Sequence, residues 1–264
     1  MKPIVSAPAP LIARRDLKND YLSLTFGPFP RSRSVKPGQF AHLHIPQAAV
    51  YYRRAFSIAG VDPENQSLEI ILKVVGRGSR ALAGLRLGDQ IDFLGPLGKP
   101  FTPPRNGQTV IMVAGGVGYP PLLFLATHLI ERGVDPKRIY FLYGGRSGPD
   151  IIDRPRIKKL GVRFFPTTQD GSFGEKGLVT APLTRLLADE TVNKPMIYSC
   201  GPEGLLKAVD HLAREFEAQG ELALEAPMPC GFGICLGCVV PLKAGGFARV
   251  CQEGPVFSVG ETLL

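Results

Sequence analysis

No run of roughly eighteen uninterrupted apolar residues occurs anywhere in these 264 residues. An ordinary membrane-spanning helix is therefore not expected. The most apolar stretch, VIMVAGGVGYPPLLFLA from Val110, is broken by glycines and prolines. The opening MKPIVSAPAPL has one lysine and no long apolar core, so a secretory leader is not expected and a cytoplasmic location is. Internal repeats and low-complexity linkers are missing. So is G-x-G-x-x-G, the ordinary dinucleotide fingerprint. No basic run is interleaved with aromatics, which leaves nucleic acid a poor partner despite a net charge of +8.

That charge is uneven. Residues 1–60 hold nine Lys/Arg against Asp16 and Asp20, whereas the remaining 204 residues are close to balance. A basic first quarter suits a phosphate-bearing cofactor or an anionic partner, and a solvated surface accounts for most of it. Hydrophobic content of 44% with 20% charged residues is ordinary for a globular chain with a sizeable core.

Cysteine is scarce but concentrated. Four of the five cysteines, Cys230, Cys235, Cys238 and Cys251, lie between Pro229 and Gln252 in the pattern C-x4-C-x2-C with the fourth after twelve further residues. The first three follow the plant-type spacing of a [2Fe–2S] cluster. Gly231, Gly233 and Gly237 are expected to allow left-handed turns and to bring N–H groups near the sulfurs. A zinc site uses the same ligands, but usually as two separated C-x2-C knuckles. A disulfide set fits poorly with a chain lacking a leader, and buried free thiols need no such density of glycine.

Ahead of that loop the chain divides twice. Short alternating segments, among them YLSLTF from Tyr21, the turn and strand KPGQFAHLHIP from Lys36, YYRRAFSIAGVD from Tyr51, the strand that opens SLEIILKVVGRGSRAL from Ser67 and GDQIDFLGPLGKPF from Gly88, predict a small antiparallel barrel over 1–103. His42 and His44 alternate on one strand, where an exposed face explains them better than a metal site. After Ser67 the strand runs into Gly76, Arg77, Gly78 and Ser79 and a short helix near Arg80, a generic anion cradle. From Pro103 the pattern changes. Buried apolar strands at TVIMVAG, RIYFLYGG, VRFFPTT and PMIYSC alternate with helices, the longest predicted from Glu203 to Gly220. This predicts a doubly wound parallel α/β domain over 104–222, followed by a small cluster-binding segment, 223–264. Gly115, Gly116 and Gly118 form the turn after its first strand, where such domains bind dinucleotides.

The ordered set resembles the ferredoxin reductase superfamily along the whole chain. CGFGICLGC from Cys230 and ARVCQEGPVF from Ala248 narrow the resemblance to the electron-transfer subunits of dihydroorotate dehydrogenase type B. The resemblance implies FAD in the barrel, NAD in the α/β domain and a [2Fe–2S] cluster on the four terminal cysteines. Arg54, Ala55, Phe56 and Ser57 correspond to the family's flavin motif, with Ala55 where proline is frequent. Ile71, Leu72 and Lys73 would line the flavin, Gly78 and Ser79 its phosphates. Gly115, Gly116 and Gly118 would admit the dinucleotide, and Cys200 in SCGPEG would stand near the nicotinamide ring, although a buried strand end also explains it. Arg146 and Asp170 would contact the adenosine half or shape its pocket, although a surface loop explains each as well. No catalytic acid or base is implied. The implied partner is an FMN-containing dihydroorotate-oxidising subunit, in a heterotetramer. A related reductase serving a hydrogenase, a sulfite reductase or a ferredoxin:NAD(P) couple is the alternative.

Overall fold

Residues 4–45 and 50–264 are described by the structure, a computed structural model. Six strands, β1 (Val5–Lys18), β2 (Tyr21–Phe26), β3 (Phe40–His44), β4 (Arg54–Asp62), β5 (Ser67–Lys73) and β6 (Gln90–Leu97), close into a barrel in the order β1-β2-β5-β4-β3-β6. Closure leaves no unpaired edge. β1 serves two neighbours: residues 5–10 pair with β6 and residues 11–18 with β2. Alternate side chains fill the interior, including Leu24, Phe26, Leu43, Ile58, Ile70 and Phe93, all buried. Phe26 meets Phe93 edge-on at 5.0 Å between ring centroids. The helix α1 (Arg77–Ala83) begins three residues earlier than expected, so Gly78 and Ser79 lie in its first turn.

The outer face of β3 departs from the sequence reading. His44 is exposed as expected, but His42 is fully buried. The reason is non-local. The carboxy-terminal segment covers this face, and Phe40, two residues away, packs into one core with Cys238, Val250, Cys251 and Phe257.

The second half is a seven-stranded sheet, order β10-β9-β8-β7-β11-β12-β15. Its strands are β7 (Val110–Gly115), β8 (Ile139–Gly145), β9 (Arg163–Thr168), β10 (Glu175–Lys176), β11 (Met196–Cys200), β12 (Gln219–Ala223) and β15 (Val256–Ser258). The helices are α2 (Tyr119–Glu131), α3 (Arg154–Lys159), α4 (Thr180–Leu187) and α5 (Glu203–Glu215). β7 is buried at every position, as an apolar run covered on both faces requires. The sequence reading merged the start of β12 with the preceding helix. α5 instead stops at Glu215, Glu217 turns the chain at φ 51°, and β12 pairs in parallel with β11.

The terminal segment continues this sheet. β15 pairs antiparallel with β12, Leu222 opposite Phe257, while β13 (Val239–Pro241) and β14 (Phe247–Arg249) make a hairpin beside the cysteine loop. Buried Asp210 of α5 ties it down further, accepting from the Gly260 N–H at 2.6 Å, Lys243 Nζ at 3.0 Å and Arg214 Nε at 3.0 Å. The barrel is fastened separately. Arg15 donates to both Asp153 oxygens at 2.8 and 3.0 Å, Arg156 reaches Glu69 at 2.7 Å, and Lys73 meets Asp150 at 3.3 Å. No helix among the described residues is long and apolar enough to cross a membrane.

Candidate functional site

Two adjoining clefts open beside β4 and β5, the first bounded by the barrel half alone and the second where barrel and sheet meet. The first, about 590 Å³, runs along β4 and the turn after β5. It is lined by Arg54, Ala55, Phe56, Lys73 and the Gly76–Ser79 turn. Arg54 lies over Gly78: a Cβ at Gly78 would sit 3.4 Å from Arg54 Cγ. The Ser79 hydroxyl is occupied locally, accepting from the N–H groups of Val75 and Gly76 at 2.9 and 3.0 Å. It shapes the turn, leaving the first-turn N–H groups of α1 without intrahelical partners.

The second cleft, about 330 Å³, shares Ala55, Phe56, Lys73 and Val75 with the first. Three parts of the chain wall it. Ser57, Ile71 and Leu72 come from the barrel, Val117 and Pro120 from the glycine turn, and residues 224–228 from the strand exit leading to Cys230. Sequence reasoning found the first group and missed the other two, because nothing local marks a residue as facing another domain. Lys73 stands between them, its ammonium 4.9 Å from the Tyr21 ring centroid.

The glycine turn is built for close packing more than for open space. A Cβ on Gly118 would lie 2.0 Å from the Cys200 carbonyl oxygen, and one on Gly115 would lie 2.6 Å from Leu205 Cδ2. Gly116 is different. It adopts φ 51°, meets nothing closer than the Tyr21 hydroxyl at 4.0 Å, and its carbonyl accepts from Tyr143 Oη at 3.0 Å. Cys200 is buried at the end of β11. Burial, then the nearby Glu225 carboxylate, push its thiol far up. Glu225 lines the smaller cleft and is solvent-exposed, yet the protein around it raises its carboxyl. Arg146 is exposed after β8, and exposed Asp170 accepts from Ser172 N–H at 2.9 Å, which shapes its own loop.

The four terminal cysteines fall into two pairs. Cys238 and Cys251 are buried with sulfurs 3.3 Å apart, and Cys230 is hydrogen-bonded to Cys235, which is exposed. Burial opposes a thiolate at Cys230, but N–H groups of Cys235, Phe232 and Ile234 outweigh it and bring the thiol down to about 6. Burial and the Cys238 sulfur push Cys251 up to about 12, so that thiol ionises only beside a metal's charge. Among the described residues no three His, Cys, Asp or Glu side chains converge on a single metal ion. Two pairs suit two irons, each taking two protein thiolates. Gly231 and Gly233 are left-handed as expected, at φ 79° and 84°. Gly237 is not; Leu236 takes the left-handed turn instead, and a Cβ on Gly237 would strike Pro229 Cδ at 2.9 Å. Arg249 braces the loop, donating to the Gly233 carbonyl at 3.1 Å and to Glu253 at 3.0 Å. That guanidinium holds Glu253 down at about 2.

A six-stranded barrel, a parallel nucleotide-type sheet and a paired-cysteine loop at one junction define an iron–sulfur flavoprotein oxidoreductase. The comparisons agree part by part. Residues 8–101 match the oxidoreductase FAD-binding domain and 112–211 the oxidoreductase NAD-binding domain. Residues 225–263 match the iron-sulfur cluster binding domain of dihydroorotate dehydrogenase B. The chain is 37% identical over 262 residues to the dihydroorotate dehydrogenase B (NAD(+)) electron transfer subunit of Enterococcus faecalis, covering 97% of this chain and 94% of that one. It is 36% identical to that of Shouchella clausii, covering 87% of each. A solved chain from a study of flavin-based electron bifurcation by an NADH-dependent reduced ferredoxin-NADP oxidoreductase superposes with a TM-score of 0.85 at 28% identity, over 97% of this chain and 90% of that one. The chain belongs to the family of dihydroorotate dehydrogenase B electron transfer subunits.

Proposed function

We propose that this chain is the electron-transfer subunit of a cytoplasmic, NAD-dependent dihydroorotate dehydrogenase, working beside an FMN-containing catalytic subunit in a heterotetramer. One observation carries the reading: the smaller cleft is walled jointly by the flavin motif, the glycine turn and the strand exit that leads straight to Cys230. When bound, FAD exchanges hydride with a nicotinamide and single electrons with a [2Fe–2S] cluster, which neither of the others does alone.

The chain's residues supply position and charge. Arg54 neutralises flavin pyrophosphate, while Gly78 and Ser79 present the first turn of α1 to it. Ala55, Phe56, Ser57, Ile71, Leu72 and Lys73, which line one cleft, would hold the ring system. Gly116 gives the dinucleotide room. Gly115 and Gly118 seat that turn on the end of β11, which sets Cys200 beside the nicotinamide pocket. Cys200 is neutral there, so it packs and excludes water and holds no mobile proton. Cys230 with Cys235, and Cys238 with Cys251, hold the cluster.

The partner docks over the cysteine loop. Phe232, Ile234 and Leu236 are exposed on it, and Val239 and Phe247 on the adjoining hairpin. That apolar surface beside the exposed Cys235 suits the docking of another protein. The test is anaerobic co-expression with a dihydroorotate-oxidising flavoprotein. NADH formation from dihydroorotate should require both chains. A purified chain lacking flavin and iron, or one that reduces NAD only with a ferredoxin, would overturn the assignment.

A further inference from the structure

His42 has no part in the arrangement above, and its surroundings are unusual. The side chain is fully buried and both ring nitrogens lack a hydrogen-bond partner. The Met228 carbonyl lies nearby, but it does not stand where it can accept a hydrogen bond. Buried polar atoms are nearly always paired, so an orphaned imidazole marks a missing neighbour.

Its position says which neighbour. On one side His42 is opposite Ala55 across the β3–β4 ladder, and Ala55 lines the flavin cleft. Its ring meets Phe40 edge-on at 6.0 Å, and Phe40 lines the same cleft. On the other side it touches the cysteine loop. A Cβ on Gly231 would lie 2.6 Å from Nδ1 and 2.8 Å from Cε1, so the loop backbone rests on the imidazole edge one residue after Cys230. The imidazole therefore fills the wall between the flavin cleft and the cysteine loop. A neutral imidazole carries one N–H donor. The acceptors that belong on the cysteine side are the sulfurs of an iron–sulfur centre, and hydrogen bonds to such sulfurs set its potential.

We propose that His42 is a positioning residue for electron transfer, donating its ring N–H to a sulfur of the bound cluster and raising the cluster's reduction potential. Adding an electron makes the cluster more negative, so an N–H donor favours the reduced form. The inference rests on the cluster being held by Cys230, Cys235, Cys238 and Cys251.

The experiment uses the anaerobically purified chain with its native cofactors. In protein labelled with 15N-histidine, pulsed EPR of the reduced cluster should show a histidine nitrogen coupling, absent in His42→Gln. The chain has four histidines, and the difference between the two proteins assigns the signal. EPR-monitored redox titration should place His42→Phe at a more negative midpoint, with about a tenfold smaller reduced-to-oxidised ratio at the wild-type midpoint, or 59 mV for one electron. His42→Gln, which keeps an N–H donor, should stay near wild type. A loaded wild-type cluster without histidine coupling overturns the proposal even if His42→Phe takes up no iron. So do equal midpoints in all three proteins, or equal shifts in both variants. Wild-type protein without iron defeats the cluster reading itself, a separate result.

Discussion

The β11 and β12 strands and the loop after Pro229 both present ionisable groups at the domain junction, and they treat charge oppositely. Along these strands burial dominates: the Cys200 thiol at the end of β11, the Glu221 carboxyl in the middle of β12 and the Glu225 carboxyl just beyond it are all raised. In the loop, N–H groups gathered by left-handed glycines bring Cys230 down to about 6. Cys230 is thus prepared as a ligand by the backbone around it, whereas Cys251, pushed up to about 12, relies on a metal's charge. Cys200 on a regular strand stays inert.

The largest expected effect tests the loop. Cys230→Ala, like Ala at Cys235, Cys238 or Cys251, should reduce bound iron and dihydroorotate-linked NADH formation to background, while the partner's activity with an artificial acceptor persists. Retained iron in any of the four would break the contrast.

Next is the close packing behind Cys200. Gly118→Ala drives a methyl into the Cys200 carbonyl and should cost about 3 kcal/mol in thermal or denaturant unfolding, as overpacking does. Gly116→Ala meets open space and should cost only about 1–2 kcal/mol, the left-handed penalty. Equal losses would mean that the turn is not seated as described.

A smaller effect reads burial along β12 through pH. Burial raises Glu221, against the Thr102 N–H it accepts at 2.8 Å. The folded state then holds its proton more tightly than the unfolded chain does, so ionisation costs stability as pH rises above the ordinary carboxylate value of 4.5. Glu221→Gln should be more stable than wild type at pH 7, by at most about 1 kcal/mol. The gap should close as pH falls towards that value, and a gap that widens instead would refute the sign.

The smallest effect belongs to Cys200. In folded protein it should resist iodoacetamide while unfolded chain reacts, and Cys200→Ala should keep full iron with a stability change of about 1 kcal/mol. Iron loss in that variant would erase the distinction between the two regions.

Local pattern carried much of this molecule. Alternation marked β2 to β6, uninterrupted apolar runs marked β7, β8 and β11, and cysteine spacing marked the loop. What the pattern hid was set by distant contacts. β12 reads QGELA, whose Gln, Glu, Leu and Ala are good helix formers, and becomes a strand because β11 and β15 lie on either side. β1 contains Pro8 and Pro10, which argue against a strand, yet both sit in its pairing with β6. His42 looked like half of an exposed pair until the terminal segment covered it. Gly115 and Gly118 pointed to a ligand, but their immediate need is the chain's own β11–α5 turn.

β15 has a consequence for how current is carried. Because β15 is zipped beside β12, the segment carrying the cysteine loop is anchored at its far end to the sheet of the nicotinamide half. The gap an electron must tunnel across is therefore fixed when the chain folds. Docking supplies only the donor, and the wire inside this subunit is already laid.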